Sequence, residues 1–405
     1  MRSPLVQLLT ARRFAPLFVT QFLGALNDNL LKSALGILVT FRLAEQSGMN
    51  AATLAMIASA LFIAPFFLFS GASGTLSDRF DKARIARWVK EAEIGIMALG
   101  AWGLWQGSVP VLLATLFCLG THSTVFGPIK YALLPQHLQE HELVAGNALI
   151  EAGTFLAILA GTIIGGSIAL LGNGPLIVGT IGVIGAILGW LASLQIPTAP
   201  PAYTGEAPRI RLLRDTIDVV THVTNRPQLL LPILATSWFW LFAFIVVSGL
   251  PVFAKDVLFA NEQVVTMMLA LFAVGVGAGS ILAEKLLHGE VSGRFVPWSA
   301  AAMAIFAIDL HWASASVLAT ANLVDARTFL ARPGTWRIMV DLIGIAMAGG
   351  LFTVPLYAIL QHESEPSHRS RVIAANNIIN ALFMTAATGK VVKPTSANSS
   401  PIVRR

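Results

Sequence analysis

The sequence predicts an all-α polytopic membrane protein. Of its 405 residues, 55% are hydrophobic and only 12% are charged, and the mean hydropathy is +0.73. An ordinary soluble protein has about 25% charged residues, so this chain has too few to cover a soluble fold. Its apolar runs, such as 54–70, 156–171 and 230–247, are long and continuous. A transmembrane β-barrel would instead show alternating segments of about ten residues.

Apolar runs between polar breaks give the positions of the helices, because a spanning helix needs about 20 mostly apolar residues. The segment 314–332 carries Asp325 and Arg327 and is predicted to be a loop with an interfacial helix. We expect about eleven spans, at 14–41, 52–76, 84–106, 109–134, 143–171, 174–196, 228–254, 263–287, 295–313, 336–361 and, marginally, 372–388.

These helices predict four parts of the chain. A six-helix bundle covers 1–196, and a cytoplasmic, Pro-rich and basic linker covers 197–227. The second bundle, at 228–388, is incomplete because no twelfth apolar run follows. The remainder, 389–405, is predicted to be a disordered tail, and we interpret the second half as truncated or frame-shifted.

Positive charge predicts the orientation of the chain. Most of the 27 Lys and Arg residues, including the basic run 79–90 with Lys90, fall on the side that holds the N-terminus. Positive loops are retained in the cytoplasm, so we expect a multi-pass protein of the bacterial inner membrane with a cytoplasmic N-terminus. The same rule explains the net charge of +6 without a nucleic-acid partner.

Three short segments recur in the second half of the chain, in the same order. LSDR at 76–79 matches LAEK at 282–285, YALL at 131–134 matches YAIL at 357–360, and VAGN at 144–147 matches IAAN at 373–376. Each match lies six predicted helices later. Six is even, so both halves cross the membrane in the same direction, which is the parallel repeat of the major facilitator type. The substrate path is expected between the two halves.

Residues 74–84 read GTLSDRFDKAR, which resembles the signature loop of the major facilitator superfamily, G-x-L-x-D-R-x-G-x-R-R. Asp81 stands where that family has Gly. A glycine at 74 permits close helix approach, and Asp78 can pair with a basic group or a helix N-terminus of the other half. The alternative is a positive cytoplasmic turn with no further role. The gating residues that we predict are Gly74, Asp78, Arg79, Lys82 and Arg84, with Glu284 and Lys285 in the second half.

The first predicted helix carries Asn27, Asp28 and Asn29 near its middle, with Lys32 four residues after Asp28. A carboxylate at that depth costs several kcal/mol unless it faces a polar cavity or a partner. Asp28 and Lys32 share a helix face and can neutralise each other. The two interpretations are a self-contained ion pair and the polar pole of a substrate cavity.

Further polar candidates lie in the fourth and fifth predicted helices. Lys130 approaches the cytoplasmic interface, where it either extends toward water or recognises an anionic head group. Asn147 and Glu151 lie four residues apart on one helix face. Glu151 is the stronger substrate-binding candidate, because its counterpart in the second half is the neutral Asn380.

Three segments together resemble the bacterial lysophospholipid transporter family: GALNDN at 24–29, GPIKY at 127–131 and NALIEAGT at 147–154. The segment EPSHRSRVIAANN at 365–377 is closer to the transporter module of proteins fused to an acyltransferase and an acyl-carrier-protein synthetase. The resemblance covers about residues 10 to 385. It implies movement of lysophospholipid toward the cytoplasmic leaflet, with those two enzymes as partners. The substrate-binding residues that we predict are Asp28, Asn29, Lys32, Lys130, Asn147 and Glu151.

An enzyme is the competing class, and the sequence argues against it. None of the eight His residues is followed five positions later by Asp, as acyl transfer in the fused enzymes would need. No Walker-type or dinucleotide-binding loop is present, and we expect no cofactor and no metal. Two further hypotheses stay open: a proton-coupled exporter of small amphipathic compounds that titrates Asp28 or Glu151, and a truncated, non-functional remnant.

Overall fold

The computed structural model describes residues 4–39, 43, 48, 50–201, 211–318, 320 and 322–391. In this part of the chain the regular secondary structure is helical, and an isolated bridge joins Ala260 to Val324. The fourteen α-helices of these residues are α1 Pro4–Thr10, α2 Ala15–Leu38, α3 Ala51–Arg79, α4 Lys82–Gln106, α5 Val109–His137, α6 Leu143–Ile168, α7 Gly174–Ser193, α8 Leu212–Thr224, α9 Pro227–Val252, α10 Glu262–Leu287, α11 Val296–Ala315, α12 Ala326–Ala331, α13 Thr335–Glu363 and α14 Arg369–Val391.

Eight of the described helices are long and apolar enough to cross a membrane: α3, α5, α6, α7, α9, α10, α11 and α13. The predicted class, an all-helical membrane protein, is therefore confirmed. Helices α2, α4 and α14 have 24, 25 and 23 residues and are of spanning length, but they carry more charged and amide side chains. The count of eleven spans stays a prediction.

Each predicted helix overlaps an observed one, the interfacial helix predicted within 314–332 included, and one further region is more structured than the sequence suggests. The predicted linker contains α8, Leu212–Thr224, for which our prediction has no helix. The predicted interfacial segment contains the short helix α12. Helix α14 extends beyond the marginal prediction at 372–388. Most of the predicted tail, 392–405, lies outside the described residues.

Helix packing reproduces the repeat of the sequence. In the first half α2 packs against α6, and in the second half its counterpart α9 packs against α14. Likewise α3 packs against α5, and its counterpart α10 packs against α13. The halves meet where α6 contacts α10 and where α3 contacts α14. Helix α6 is the fifth long helix of the first half and contacts α10, the second long helix of the second half. Conversely, α3 is the second long helix of the first half and contacts α14, the fifth of the second half. The interface therefore has approximate two-fold symmetry.

Gly74 permits the close approach of α3 and α14. A Cβ added at Gly74 would lie 2.9 Å from the Arg371 Cα and 3.0 Å from the Ala374 Cβ. Since one of those atoms is backbone, a side chain at this position would push the helices of the two halves apart.

Asp81 begins α4 rather than forming a glycine-type turn. Its φ is −59°, which any residue adopts, and its carboxylate accepts hydrogen bonds from the backbone N–H of Arg84 and of Ala199, each at 2.9 Å. The departure from the family signature thus supplies a helix cap and ties the start of α4 to the segment that follows α7.

Gly74→Ala is expected to lower the thermal midpoint of the purified protein, because overpacking against backbone costs about 1–3 kcal/mol. Gly95→Ala is the matched control, since a Cβ at Gly95 meets no atom of the described residues within 4 Å and alanine gains about 0.5–1 kcal/mol of helix propensity. Differential scanning fluorimetry in detergent compares the two variants. Equal midpoints would show that α3 and α14 are not held at this distance.

Candidate functional site

A cavity of about 280 Å³ lies between the two halves. The first half contributes a carboxylate, an amide, a hydroxyl and an ammonium group to its wall. The second half contributes amides and aromatic rings. An apolar side is formed by Phe62, Phe66 and neighbouring aliphatic residues. The residues that line the cavity include Asp28, Asn29, Phe62, Phe66, Ser123, Lys130, Tyr131, Trp240, Tyr357, Asn377, Asn380 and Met384.

Helix α2 places Asp28 and Asn29 in the cavity wall. The Ser123 hydroxyl donates a hydrogen bond to Asp28 Oδ2 at 2.6 Å, and the Asn29 amide donates to the Ala25 carbonyl at 2.7 Å. Lys32 is not itself a lining residue, but its Nζ lies 4.4 Å from the ring centroid of Phe62, which lines the cavity. Asp28 and Lys32 therefore have different nearest partners, although both belong to the face that the sequence predicts.

Lys130 lines the cavity directly, whereas Glu151 lies behind an aromatic ring. Lys130 Nζ is 4.7 Å from the ring centroid of Tyr131, and the Tyr131 hydroxyl donates to Glu151 Oε1 at 2.5 Å. Glu151 is fully buried. Any influence of the Glu151 carboxylate on a bound molecule therefore passes through Tyr131 or through its charge.

Two tyrosines that are equivalent in the sequence repeat meet between the halves. The rings of Tyr131 and Tyr357 are stacked, with centroids 4.3 Å apart and planes inclined by 5°. The Trp240 indole N–H donates to the Tyr357 hydroxyl at 3.0 Å. Since Tyr131, Tyr357 and Trp240 all line the cavity, side chains from both halves form this part of its wall.

Polar contacts between the halves close one end of the bundle, where α3, α5 and α13 end and α6 and α14 begin; we call this the closed end. Arg371 Nε lies 3.2 Å from Asp78 Oδ2, and Asp78 is 1% exposed. The amides of Asn147 and Gln361 form a reciprocal pair at 2.7 and 3.0 Å. Asn147, a predicted substrate-binding residue, lies in this contact and does not line the cavity.

The other predicted gating residues differ in position. Lys82 is buried, with its side chain at the start of α4. The guanidinium groups of Arg79 and Arg84 lie 5.3 Å from the Phe80 ring and 5.5 Å from the Trp88 ring. In the second half Glu284 is buried and Lys285 is exposed. Of these residues the structure brings Gly74 and Asp78 into direct contact with the opposite half.

Sequence analysis missed a buried polar cluster inside the first half. Lys90 Nζ lies 2.5 Å from Glu93 Oε2, and His122 Nε2 lies 3.1 Å from the same oxygen. The Asn27 amide donates to Glu93 Oε1 at 2.9 Å. The basic run 79–90 predicts a cytoplasmic position for Lys90, whereas its side chain is fully buried. The sequence pattern that could have predicted this burial is the i,i+3 spacing of Lys90 and Glu93, which allows the two side chains to pair on one helix face.

The second half supplies cavity residues without charge, most of which sequence analysis also missed. Asn380, the counterpart of Glu151, accepts a hydrogen bond from the Ser237 hydroxyl at 2.6 Å. Asn377 and Trp240 line the cavity beside it. Amides and aromatic rings lack the sequence signal that a charge within a membrane helix gives.

Solved structures share this architecture. The chain aligns with a bacterial homologue of the iron transporter ferroportin in its outward-facing state, with a TM-score of 0.63 and 14% identity over 93% of this chain and 92% of that one. A double tryptophan mutant of XylE aligns with a TM-score of 0.67 and 14% identity over 93% and 87% of the two chains. At this identity the likeness concerns the fold alone.

Curated relatives are also similar to this chain in sequence. The lysophospholipid transporter LplT of Escherichia coli O1:K1 / APEC is 27% identical over 378 residues, which are 91% of this chain and 85% of the relative. LplT of Serratia proteamaculans (strain 568) is 27% identical over 381 residues, with the same coverage. The profile of the Major Facilitator Superfamily matches residues 17–388. The helical architecture, the two-fold arrangement of the halves and this match together show that the chain belongs to the major facilitator superfamily.

Proposed function

We propose that this chain moves lysophospholipid across the bacterial inner membrane toward the cytoplasmic leaflet by alternating access. The observation that carries the proposal is a cavity between the halves that combines a carboxylate, an ammonium group and an apolar side. A lysophospholipid presents a charged head group and one acyl chain. The relatives named as lysophospholipid transporters support the same substrate class.

The head group is proposed to lie among Asp28, Asn29 and Lys130. Lys130 offers a cation to the phosphate, and Asp28 offers an anion to an amine of the head group. A cavity of about 280 Å³ suits a head group rather than a whole lipid, so the acyl chain extends along the apolar side near Phe62 and Phe66. Glu151 orients Tyr131 through the hydrogen bond between them. Lys32 places a positive charge next to Phe62, on the apolar side of the cavity.

Alternating access requires that the closed end open on every cycle. The Asp78–Arg371 ion pair and the Asn147–Gln361 amide pair join opposite halves, so both must separate when the cavity opens there. We propose the topology of eleven spans with a cytoplasmic N-terminus, which puts the closed end at the cytoplasmic face. An acyltransferase and an acyl-carrier-protein synthetase are the proposed partners there.

A proton-coupled exporter of small amphipathic compounds is the second candidate function. The observation that favours it is Glu151, a fully buried carboxylate whose Oε2 has no hydrogen-bond partner among the residues that the structure describes. Uptake of lysophospholipid and resistance to amphipathic drugs, measured in the same deletion host, separate the two functions. Drug resistance without lipid uptake would favour the exporter.

Asp78→Asn is expected to slow lysophospholipid uptake by about tenfold while the amount of protein in the membrane stays nearly normal. The neutral side chain loses its charge-assisted bond to Arg371, and such bonds are worth about 1.5–3 kcal/mol. Uptake per folded carrier is the measurement, and Asp256→Asn, an exposed carboxylate in the turn after α9, is the control. Degradation of the Asp78 variant would show a structural role instead.

Lysophospholipid uptake is expected to survive a protonophore. Re-acylation removes the product inside the cell, so the lipid gradient alone can drive net movement. The measurement is uptake of labelled lysophosphatidylethanolamine with and without the protonophore, with a known proton-coupled carrier as the sensitive control. Collapse of uptake would favour the proton-coupled exporter.

The double variant Asp28→Asn/Lys32→Gln is expected to fold but not to transport. If the two residues only neutralised each other, removing both would cost less than removing either, because a lone buried charge is the expensive state. Asp28 accepts a hydrogen bond from Ser123 and lines the cavity, which supports a head-group role. Uptake per folded carrier is compared across the single and double variants.

The matched control is Asp309→Asn/Arg337→Gln, which removes an ion pair of the second half that is not in the cavity wall. The control should retain uptake. Wild-type uptake by the Asp28/Lys32 double variant would rule out the head-group role.

A further inference from the structure

A second cavity, of about 400 Å³, lies at the closed end between the linker helix α8 and the helices of both halves. We call it the linker crevice. Positively charged and titratable side chains dominate its wall: Arg211, Arg214 and His222 from the linker, and His368 and Arg371 from the start of α14. The linker crevice shares no lining residue with the cavity between the halves, and it shares Arg371 with the proposed gating contact.

The acidic residues of the crevice only partly offset this charge. Asp215 accepts a hydrogen bond from the backbone N–H of Arg211 at 3.1 Å, so it caps the start of its own helix. Asp218 lies 3.9 Å from Arg214, and both of these side chains are about two-thirds exposed. Such an exposed pair contributes little and leaves the Arg214 guanidinium able to turn toward a stronger anion.

The linker helix is attached to both halves of the protein. It packs closely on α3, since a Cβ at Gly71 would lie 2.4 Å from the Thr216 nitrogen, and it also contacts α9 and α14. The imidazole rings of His222 and His368 stack with centroids 5.0 Å apart and planes inclined by 6°. The crevice therefore spans from the first half, through α8, to the helix that carries Arg371.

We propose that the linker crevice binds the phosphate group of an anionic molecule and thereby ties the linker helix to Arg371. Arginine forks match phosphate oxygens in geometry and charge. Arg371 also holds Asp78 of the first half, so a phosphate bound between Arg371 and the linker arginines strengthens the closed end. The phosphate comes either from a lipid of the adjacent leaflet or from a soluble phosphate ester. This phosphate site is distinct from the cavity proposed to bind the transported substrate.

Binding is expected to tighten as the pH falls. Burial lowers the pKa of His222 and of His368, and neighbouring arginines lower both further. Both rings therefore take up their proton at a lower pH than an ordinary histidine does. Each proton added to an imidazole ring adds a positive charge to the crevice and strengthens the binding of a phosphate. The charged groups that face the two rings are Arg211, Arg214, Asp215 and Asp218 of α8, Arg226 and Glu365 beside it, and Arg371 of α14.

The test uses the full chain in two environments. In detergent, inorganic phosphate is titrated against chloride at constant ionic strength, and binding is read from the shift of the thermal midpoint. In nanodiscs, the midpoint is compared between pure phosphatidylcholine and mixtures with phosphatidylglycerol. We expect stabilisation in at least one environment. A shift with free phosphate identifies a soluble source, and a shift with phosphatidylglycerol alone identifies a lipid source.

The variant Arg211→Gln/Arg214→Gln should weaken the response at least about tenfold in the half-saturating concentration, which corresponds to about 1.4 kcal/mol. The matched control Arg12→Gln/Arg294→Gln removes the same charge from exposed positions outside the crevice and should respond as the wild type does. His222→Gln/His368→Gln should bind at pH 8 as the wild type does. Because inorganic phosphate itself loses a negative charge as the pH falls, the variant is compared with the wild type at each pH, and its affinity relative to the wild type should fall as the pH is lowered to 5.5.

Two results would overturn the proposal. One is the absence of stabilisation by phosphate and by phosphatidylglycerol alike. The other is an equal loss of response in the crevice variant and in the control variant, which would show general charge screening rather than a site.

Discussion

The ion pair between Asp78 and Arg371 is the interaction on which the arrangement of the halves depends most. Its carboxylate is almost fully buried, so the pair has little of the solvent screening that weakens surface pairs. The pair forms only because Gly74 lets α14 approach α3. The amide pair of Asn147 and Gln361 lies at the same end. A buried polar group that loses its partner costs free energy. Such contacts therefore favour two discrete arrangements of the halves, with the contacts either fully formed or fully separated, over intermediate arrangements.

The cavity next to this end divides its chemistry between the halves. The first half supplies charge through Asp28 and Lys130, and the second supplies neutral groups through Trp240 and Asn380. The backbone repeat is symmetric, whereas the side chains are not. In the proposed function the first half orients a zwitterionic head group and the second half encloses it. Tyr131 and Tyr357, stacked between the halves, connect this site to the closed end.

Much of this architecture was predictable from the sequence, because hydropathy and repeats report on backbone placement. The segments that contain Tyr131 and Tyr357 identified the repeat, and the signature around Asp78 identified a contact between halves. The partners were not predictable. Arg371 lies 293 positions from its partner Asp78, and Gln361 lies 214 positions from its partner Asn147. No local sequence pattern predicts pairs at such separations.

Other residues escaped prediction for a different physical reason. A run of basic residues usually marks a loop, and Lys90 ends such a run, yet pairing with Glu93 allows its full burial. The linker helix α8 has an amphipathic pattern that proline and charge in the preceding segment obscured. Sequence rules treat residues one by one, whereas burial of charge depends on a partner.

The cluster of Lys90, Glu93, His122 and Asn27 has a consequence for biogenesis. A single charge near the centre of a helix raises its insertion free energy by about 2.5–3.5 kcal/mol, and α4 carries three near its middle: Lys90, Glu91 and Glu93. The i,i+3 pair of Lys90 and Glu93 offsets part of this cost within α4, and Asn27 and His122 supply further partners of Glu93. In the proposed topology we therefore expect α4 to enter the membrane beside α2, which supplies Asn27, and the cluster to be completed when α5 delivers His122. The first half then assembles as a unit during synthesis, and a mutation that removes Glu93 would leave Lys90 stranded at the stage of membrane entry.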